Sequence, residues 1–157
     1  MRCYRIMSDS YHRSPYSCSA GAGRWNPQGS TMIYAGSAPS VALLEYLCIK
    51  GPAVGIKPWY VIVYDIADET LIGTLGHTNL PDDWGAVMHG KATQDFGKAW
   101  LREMEFPFLR VPSSRVNISF YPLEFNVLIN PDFPNIKDVI KVVDSIAFRF
   151  VLNPWKP

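Results

Sequence analysis

The chain has 157 residues, of which 48% are hydrophobic and 18% charged, and its net charge is +1. These values describe one globular domain covering residues 1–157, long enough to bury about two-thirds of the surface its unfolded chain exposes. Charges of both signs are interspersed, which leaves no polyelectrolyte basis for gripping nucleic acid or a membrane surface.

In chain order, Cys3–Met7 reads as a first strand, with Arg5 between apolar neighbours as a strand residue on a solvated face. Ser8–Ser19, rich in Ser and Tyr and carrying Pro15, reads as a loop able to fold over a ligand. The stretch from Ala22 to Leu47 organises the rest: a Gly-rich loop with an arginine, a short strand, and a helix with one carboxylate. Gly21 and Gly23 permit backbone conformations closed to other residues and let a ligand approach closely. Arg24 is a fixed fork of donors suited to phosphate or carboxylate, and Trp25 beside it is an amphipathic slab on which a ring can stack. Thr31–Gly36 is a strand in which Tyr34 alternates with Ile33.

Ser40 is expected at the helix start, where its hydroxyl can accept an orphan backbone N–H. At about 100° per residue, Val41, Leu44 and Cys48 then share one side, with Glu45 among them. Glu45 is the only charged residue between Ala38 and Ile49. A carboxylate among aliphatic neighbours is costly unless paired or hydrogen-bonded. Two readings stand: a short helix whose Glu45 looks out past its neighbours, or a carboxylate placed in a pocket for chemistry. Arg24, Tyr34 and Glu45, brought together by loop, strand and helix, would make a site for an anionic ligand.

Lys50–Pro58 is a connection, and Trp59–Ile66 reads as a buried strand with Tyr60 and Tyr64 on one face. Gly73–Gly90 reads as a long irregular loop, a feature that tends to be functional or mobile. A second helix is expected over Gln94–Met104, capped by Thr93, with Trp100 in the core. Phe106–Val111 gives a short strand, and Pro112 leaves Ser113 at its end, where chemistry is commonly mounted. By itself, a Ser after a Pro is a turn residue. Leu123–Asn130 reads as a strand interrupted by Asn126, an amide that must find partners and can brace the backbone beside Ser113. Ile136–Ile146 and Ala147–Phe150 read as two closing strands. With no repeat or linker between these elements, the fold class is α+β.

No run reaches the roughly 18 apolar residues of a membrane-spanning helix, and the chain enters its first strand without an apolar signal core. Cys3, Cys18 and Cys48 cannot all pair, and no C-x-x-C or His/Cys spacing suggests metal. A cytoplasmic setting with reduced thiols is expected. Walker, nucleophile-elbow, zinc and kinase signatures are missing, and Gly21-Ala22-Gly23 fails the dinucleotide fingerprint because its sixth position is Asn26.

An ordered series of segments carries a resemblance: Cys3–Ile6, Gly23–Gly29, Met32–Leu47, Leu80–Trp84, Thr93–Leu101, Leu109–Ser114 and Asn126–Pro134. In these the chain resembles RES-domain proteins, the toxin half of RES–Xre toxin–antitoxin pairs, a family named for its Arg, Glu and Ser. The resemblance implies a compact mixed sheet like that of ADP-ribosylating toxins, and NAD+ as substrate without a metal. It implies Arg24, Tyr34, Glu45 and Ser113 as the site, with Arg5 in support, and the readings above add Trp25 and Asn126 as candidate ligand-binding residues. It also implies an Xre-type helix-turn-helix antitoxin as partner, the toxin itself binding neither DNA nor membrane, in a dimer or a toxin–antitoxin hetero-oligomer. Two departures stand out: Phe133 where the family often has His, and an ending, Phe148 to Trp155, that lacks the common Asp-Pro-Arg-Leu.

Cleaving the nicotinamide–ribose bond of NAD+ builds oxocarbenium character on the sugar, as in glycoside hydrolysis. On this reading Glu45 meets that charge, Arg24 clamps the pyrophosphate, Tyr34 holds the nicotinamide side and Ser113 orients the ribose or amide. Water, phosphate or a protein side chain could be the acceptor. Holding a nucleotide without turnover is the remaining alternative.

Overall fold

In a computed structural model, residues 1–151 are described. The β-branched and aromatic runs form seven strands: β1 (Arg2–Ser8), β2 (Ile33–Gly36), β3 (Trp59–Ile66), β4 (Ile72–Thr74), β5 (Phe108–Val111), β6 (Asn126–Ile129) and β7 (Ile140–Phe148). They join in one sheet of order β4-β5-β6-β2-β1-β3-β7. The β4–β5 pair is parallel and the other pairs are antiparallel. Helices α1 (Pro39–Lys50), α2 (Lys91–Glu103) and the single turn α3 (Ile136–Val139) complete an α+β architecture with a mixed sheet.

Period-two alternation sorts the strand residues between the two faces. Cys3, Met7, Ile33, Ile62, Tyr64, Phe108, Val127 and Ile129 build the core on one face. On the other, Leu109, Val111 and Leu128 pack with Trp25, Met32 and Trp100, while Ile6, Val61 and Val63 pack with Ala42, Val54 and Trp59. Phe133 packs partly buried against the first core.

Both expected caps are corrected. Helix α1 starts at Pro39 after Ala38, with no side-chain cap; proline suits a first turn because its missing N–H would have been an orphan there. Helix α2 starts at Lys91 after Gly90, and its orphan donors are met from outside. The Asp83 carboxylate accepts from the amides of Ala92 (2.9 Å) and Thr93 (2.8 Å) and from the Thr93 hydroxyl.

The expected buried side of α1 is also corrected: Val41 and Ala42 are buried, whereas Leu44 and Cys48 are exposed. The side of α1 that borders the cleft carries Ala42, Glu45, Tyr46 and the exposed Ile49, so Glu45 faces the cleft. Gly73–Gly90 is less irregular than its composition suggests, holding most of β4 and a 3-10 turn at His77–Asn79. The tail is one helical turn and one strand in place of two strands. Asn135 at φ 56° turns the chain into α3, and β7 runs unbroken along β3 past an irregularity at Val63/Tyr64. The segment Phe148–Trp155 passes out of the described residues after Val151.

Helix α2 lies so close to the loop before β2 that a methyl group on Gly97 would stand 1.8 Å from the Trp25 carbonyl oxygen. Gly97→Ala is therefore expected to destabilise the protein by about 1–3 kcal/mol or more through overpacking. The check is the denaturation midpoint in urea; an unchanged midpoint would contradict this packing.

Candidate active site

Strands β1 and β2 share a single register pair, Tyr4 with Gly36, before they part. A cleft of about 440 Å³ lies where they diverge, within the range of small-ligand sites. Arg5 and Ile6 line it from β1, Tyr34 and Ala35 from β2, and Glu45 from α1. Helix α1 can press against the strand because Gly36 lacks a side chain: a Cβ there would meet the Ala42 amide at 2.8 Å.

The same register brings the polar partners to Glu45. Val111 pairs with Asn126, and Asn126 pairs with Gly36, so the end of β5 and the start of β6 meet beneath α1. Glu45 Oε1 accepts from Ser113 Oγ at 2.7 Å and from Asn126 Nδ2 at 2.6 Å. The pair fixes one carboxylate oxygen and leaves Oε2 without a hydrogen bond among the described residues, with Arg115 Nε 4.0 Å from it. Ser113 is 2% exposed, and its oxygen also accepts the Arg115 amide at 3.1 Å. Asn126 thus touches the carboxylate directly, a closer role than bracing the backbone.

Tyr34 is committed to the Gly-rich loop. Its hydroxyl donates to Asn26 Oδ1 at 2.6 Å and accepts from the Trp25 amide at 3.0 Å. Burial, the main influence, pushes this phenol well above its usual range, so it stays neutral. Asn26 in turn donates to the carbonyls of Gly21 and Ser30 at 2.8 and 2.9 Å. A Cβ on Gly23 would lie 2.6 Å from the Tyr34 hydroxyl, so glycine is required where loop and tyrosine meet.

Trp25 is 1% exposed and packs edge-on against Phe96 at 5.8 Å. It is a core residue with no open ring face for a ligand to stack on. Arg24 reaches the other way and donates to the Trp84 carbonyl at 2.6 Å. Burial lowers its pKa first, and nearby Arg115 adds to this, Glu45 acting in the opposite sense.

Arg5 is half-buried, its guanidinium turned to backbone carbonyls. Its Nη1 donates to the carbonyls of Pro15 (3.0 Å) and Ser17 (2.8 Å), pinning the strap formed by residues 9–19, whose end at Cys18 and Ser19 lines the cleft. Tyr64 donates to the same Pro15 carbonyl, and burial pushes its phenol up to about 12. Cys18 lines the cleft, and burial raises its thiol pKa, which keeps it protonated.

The structure therefore brings Arg5, Arg24, Tyr34, Glu45 and Asn126 around one cleft, with Ser113 buried behind the carboxylate and Trp25 in the core. Sequence reasoning missed Arg115, the Asn26 brace and the Asp83–Trp84 segment over Arg24. Asn26 had a signal in Asn26-Pro27, a turn-forming dipeptide. Arg115, after two serines, had none.

A model of the RES domain matches residues 2–152. The chain belongs to the RES-domain family. A protein of Yersinia enterocolitica named "Toxin Res" is 29% identical to this RES chain over 153 residues, covering 96% of the chain and 97% of that protein. A "Toxin Res" of Photorhabdus laumondii is 30% identical over 151 residues, covering 94% and 93%. A "Prs ADP-ribosylating toxin" of Sphingobium sp. is 33% identical over 121 residues, covering 74% and 71%. The matched RES span contains every cleft residue named above. No helix among the described residues is long and apolar enough to cross a membrane.

The Asp83 carboxyl is held below its usual range, chiefly by the Thr93 hydroxyl. A depressed folded pKa gives stability that is present above the ordinary carboxyl pKa of about 3.9 and lost as pH falls through the folded value. Asp83→Asn in this RES protein is expected to lower the melting temperature at pH 7, the gap to wild type closing at a pH well below the ordinary carboxyl value. A gap of equal size at both pH values would show that the charge is not what ties this segment to α2.

Proposed function

We propose that this protein is a toxin that consumes NAD+ by cleaving the bond between nicotinamide and ribose. The observation that carries the reading is the Glu45 carboxylate, fixed at Oε1 by Ser113 and Asn126 and open at Oε2, in a cleft that also holds Arg24 and Arg5. The names of the relatives support the toxin role.

In the reaction the C–N bond breaks with its electron pair, so the cationic pyridinium leaves as neutral nicotinamide. Positive charge develops on the ribose, and Glu45 Oε2 stabilises it. Ser113 and Asn126 preorganise that oxygen's carboxylate, and fixed charge of this kind is usually the largest catalytic contribution. Arg24 binds the pyrophosphate by charge-assisted hydrogen bonds. The Tyr34 ring forms a wall of the cleft while its hydroxyl keeps the Arg24 loop in shape. Water or phosphate captures the ribosyl cation and releases a proton. The name of the Sphingobium relative favours a second reading, in which a protein side chain is the acceptor.

Purified protein incubated with NAD+ is expected to release free nicotinamide. Loss of NAD+ without phosphate or protein acceptor indicates hydrolysis, dependence on phosphate indicates phosphorolysis, and labelling of a protein indicates transfer. Glu45→Gln is expected to fold and to lose about 100-fold or more in turnover, the order seen when one preorganised stabilising group is removed. Near wild-type release by that variant would make the carboxylate structural.

Unrestrained loss of NAD+ in the cytoplasm would arrest growth, so an inhibitor belongs with this activity. We assign that role to a helix-turn-helix partner of the Xre type, encoded beside this chain. Co-expression is expected to restore growth and to yield a complex without free nicotinamide release. A neighbouring product that neither binds nor suppresses the protein would rule the arrangement out.

A further inference from the structure

Arg115 has no role in the reaction described above, yet it stands beside its centre. Its Nε lies 4.0 Å from Glu45 Oε2, a separation too long for a hydrogen bond. That Nε is buried and has no hydrogen-bond partner among the described residues. A buried donor on a charged group is costly to leave unmade, so the site favours an acceptor that enters the cleft.

The charge balance specifies the acceptor. Among the described residues lining the cleft, Arg5, Arg24 and Arg115 carry formal positive charge and Glu45 negative, three against one, leaving two surplus positive charges apart from His89. Arg24 and Arg115 repel each other closely enough to help lower the Arg24 pKa. Arg5 Nη1 is engaged by the strap, and Arg24 Nη1 by Trp84. The unengaged donor next to the catalytic carboxylate belongs to Arg115.

We propose that Arg115 is a substrate-binding residue that takes a phosphate of the dinucleotide beside Glu45, so that the pyrophosphate is read by two guanidiniums. Resting on the reading of the cleft as an NAD+ site, it adds a specificity determinant. A nucleoside without phosphate gains nothing from Arg115, and a diphosphate relieves its repulsion with Arg24.

The test is calorimetric binding of ADP-ribose to wild-type protein, Arg115→Ala and Arg115→Lys over a series of salt concentrations, with nicotinamide release followed in parallel. Arg115→Ala is expected to weaken binding about tenfold or more, the scale of a charge-assisted hydrogen bond, and to flatten the dependence on salt. Arg115→Lys, which keeps charge without the fork, is expected to recover part of the affinity and the steeper salt dependence. If the alanine variant does not fold, Arg115→Gln is read by the same criteria. Binding within about twofold of wild type, or a loss with no change in salt dependence, overturns the proposal, as does a wild-type protein that binds no ADP-ribose. Arg115-dependent binding without nicotinamide release would sink the proposed turnover and leave this assignment standing.

Discussion

The arrangement depends on one carboxylate oxygen that two donors share. Glu45 Oε1 accepts from Ser113 and Asn126, residues 68 and 81 positions further along the chain. A carboxylate half-buried on a helix is tolerated only if such donors are supplied. The sheet supplies them through register: Gly36, Asn126 and Val111 stand in one row across β2, β6 and β5. Shifting β6 by one residue would turn the amide to the opposite face and strip the carboxylate of its partner.

Around that centre, much of the polar bonding goes to backbone. Tyr34 and Asn26 spend their hydrogen bonds on the Gly-rich loop, Gln94 donates to the Gly23 carbonyl at 2.9 Å, and Arg5 spends two on the strap. Bonds to backbone fix where a segment lies whatever side chains it carries. The loop that presents Arg24 is thereby held from three sides, by β2, by α2 and, through Trp84, by the segment after β4.

How far the sequence reveals this depends on the distance over which each feature is encoded. The run Trp59–Ile66 is legible because a strand buried on both faces must be apolar throughout. Glu45 is legible as an anomaly, one charge in an apolar helix, although its partners are not, since nothing local in Ser113 or Asn126 points to residue 45. The start of α2 is misread for the same reason: its cap is Asp83, in another segment, while Thr93 offers a local substitute. Ile136-Lys137-Asp138-Val139-Ile140 fits helical and strand periods alike, and the left-handed turn at Asn135 decides between them. The family resemblance made the candidate residues legible as a set. Trp25 shows its limit, since position in a motif did not say whether the indole faced ligand or core.

The single pair between Tyr4 and Gly36 divides the sheet into two plates, β4-β5-β6-β2 on one side and β1-β3-β7 on the other. Arg5 belongs to one plate, Tyr34 and Asn126 to the other, and α1 carries Glu45 across the join. A ligand touching all of them acts as a rivet between plates that little backbone bonding connects. Occupancy and mechanical integrity are then the same quantity seen from two sides: whatever fills the cleft, substrate or inhibitor, also clamps the molecule shut, by the mass action through which any ligand of the folded state stabilises it.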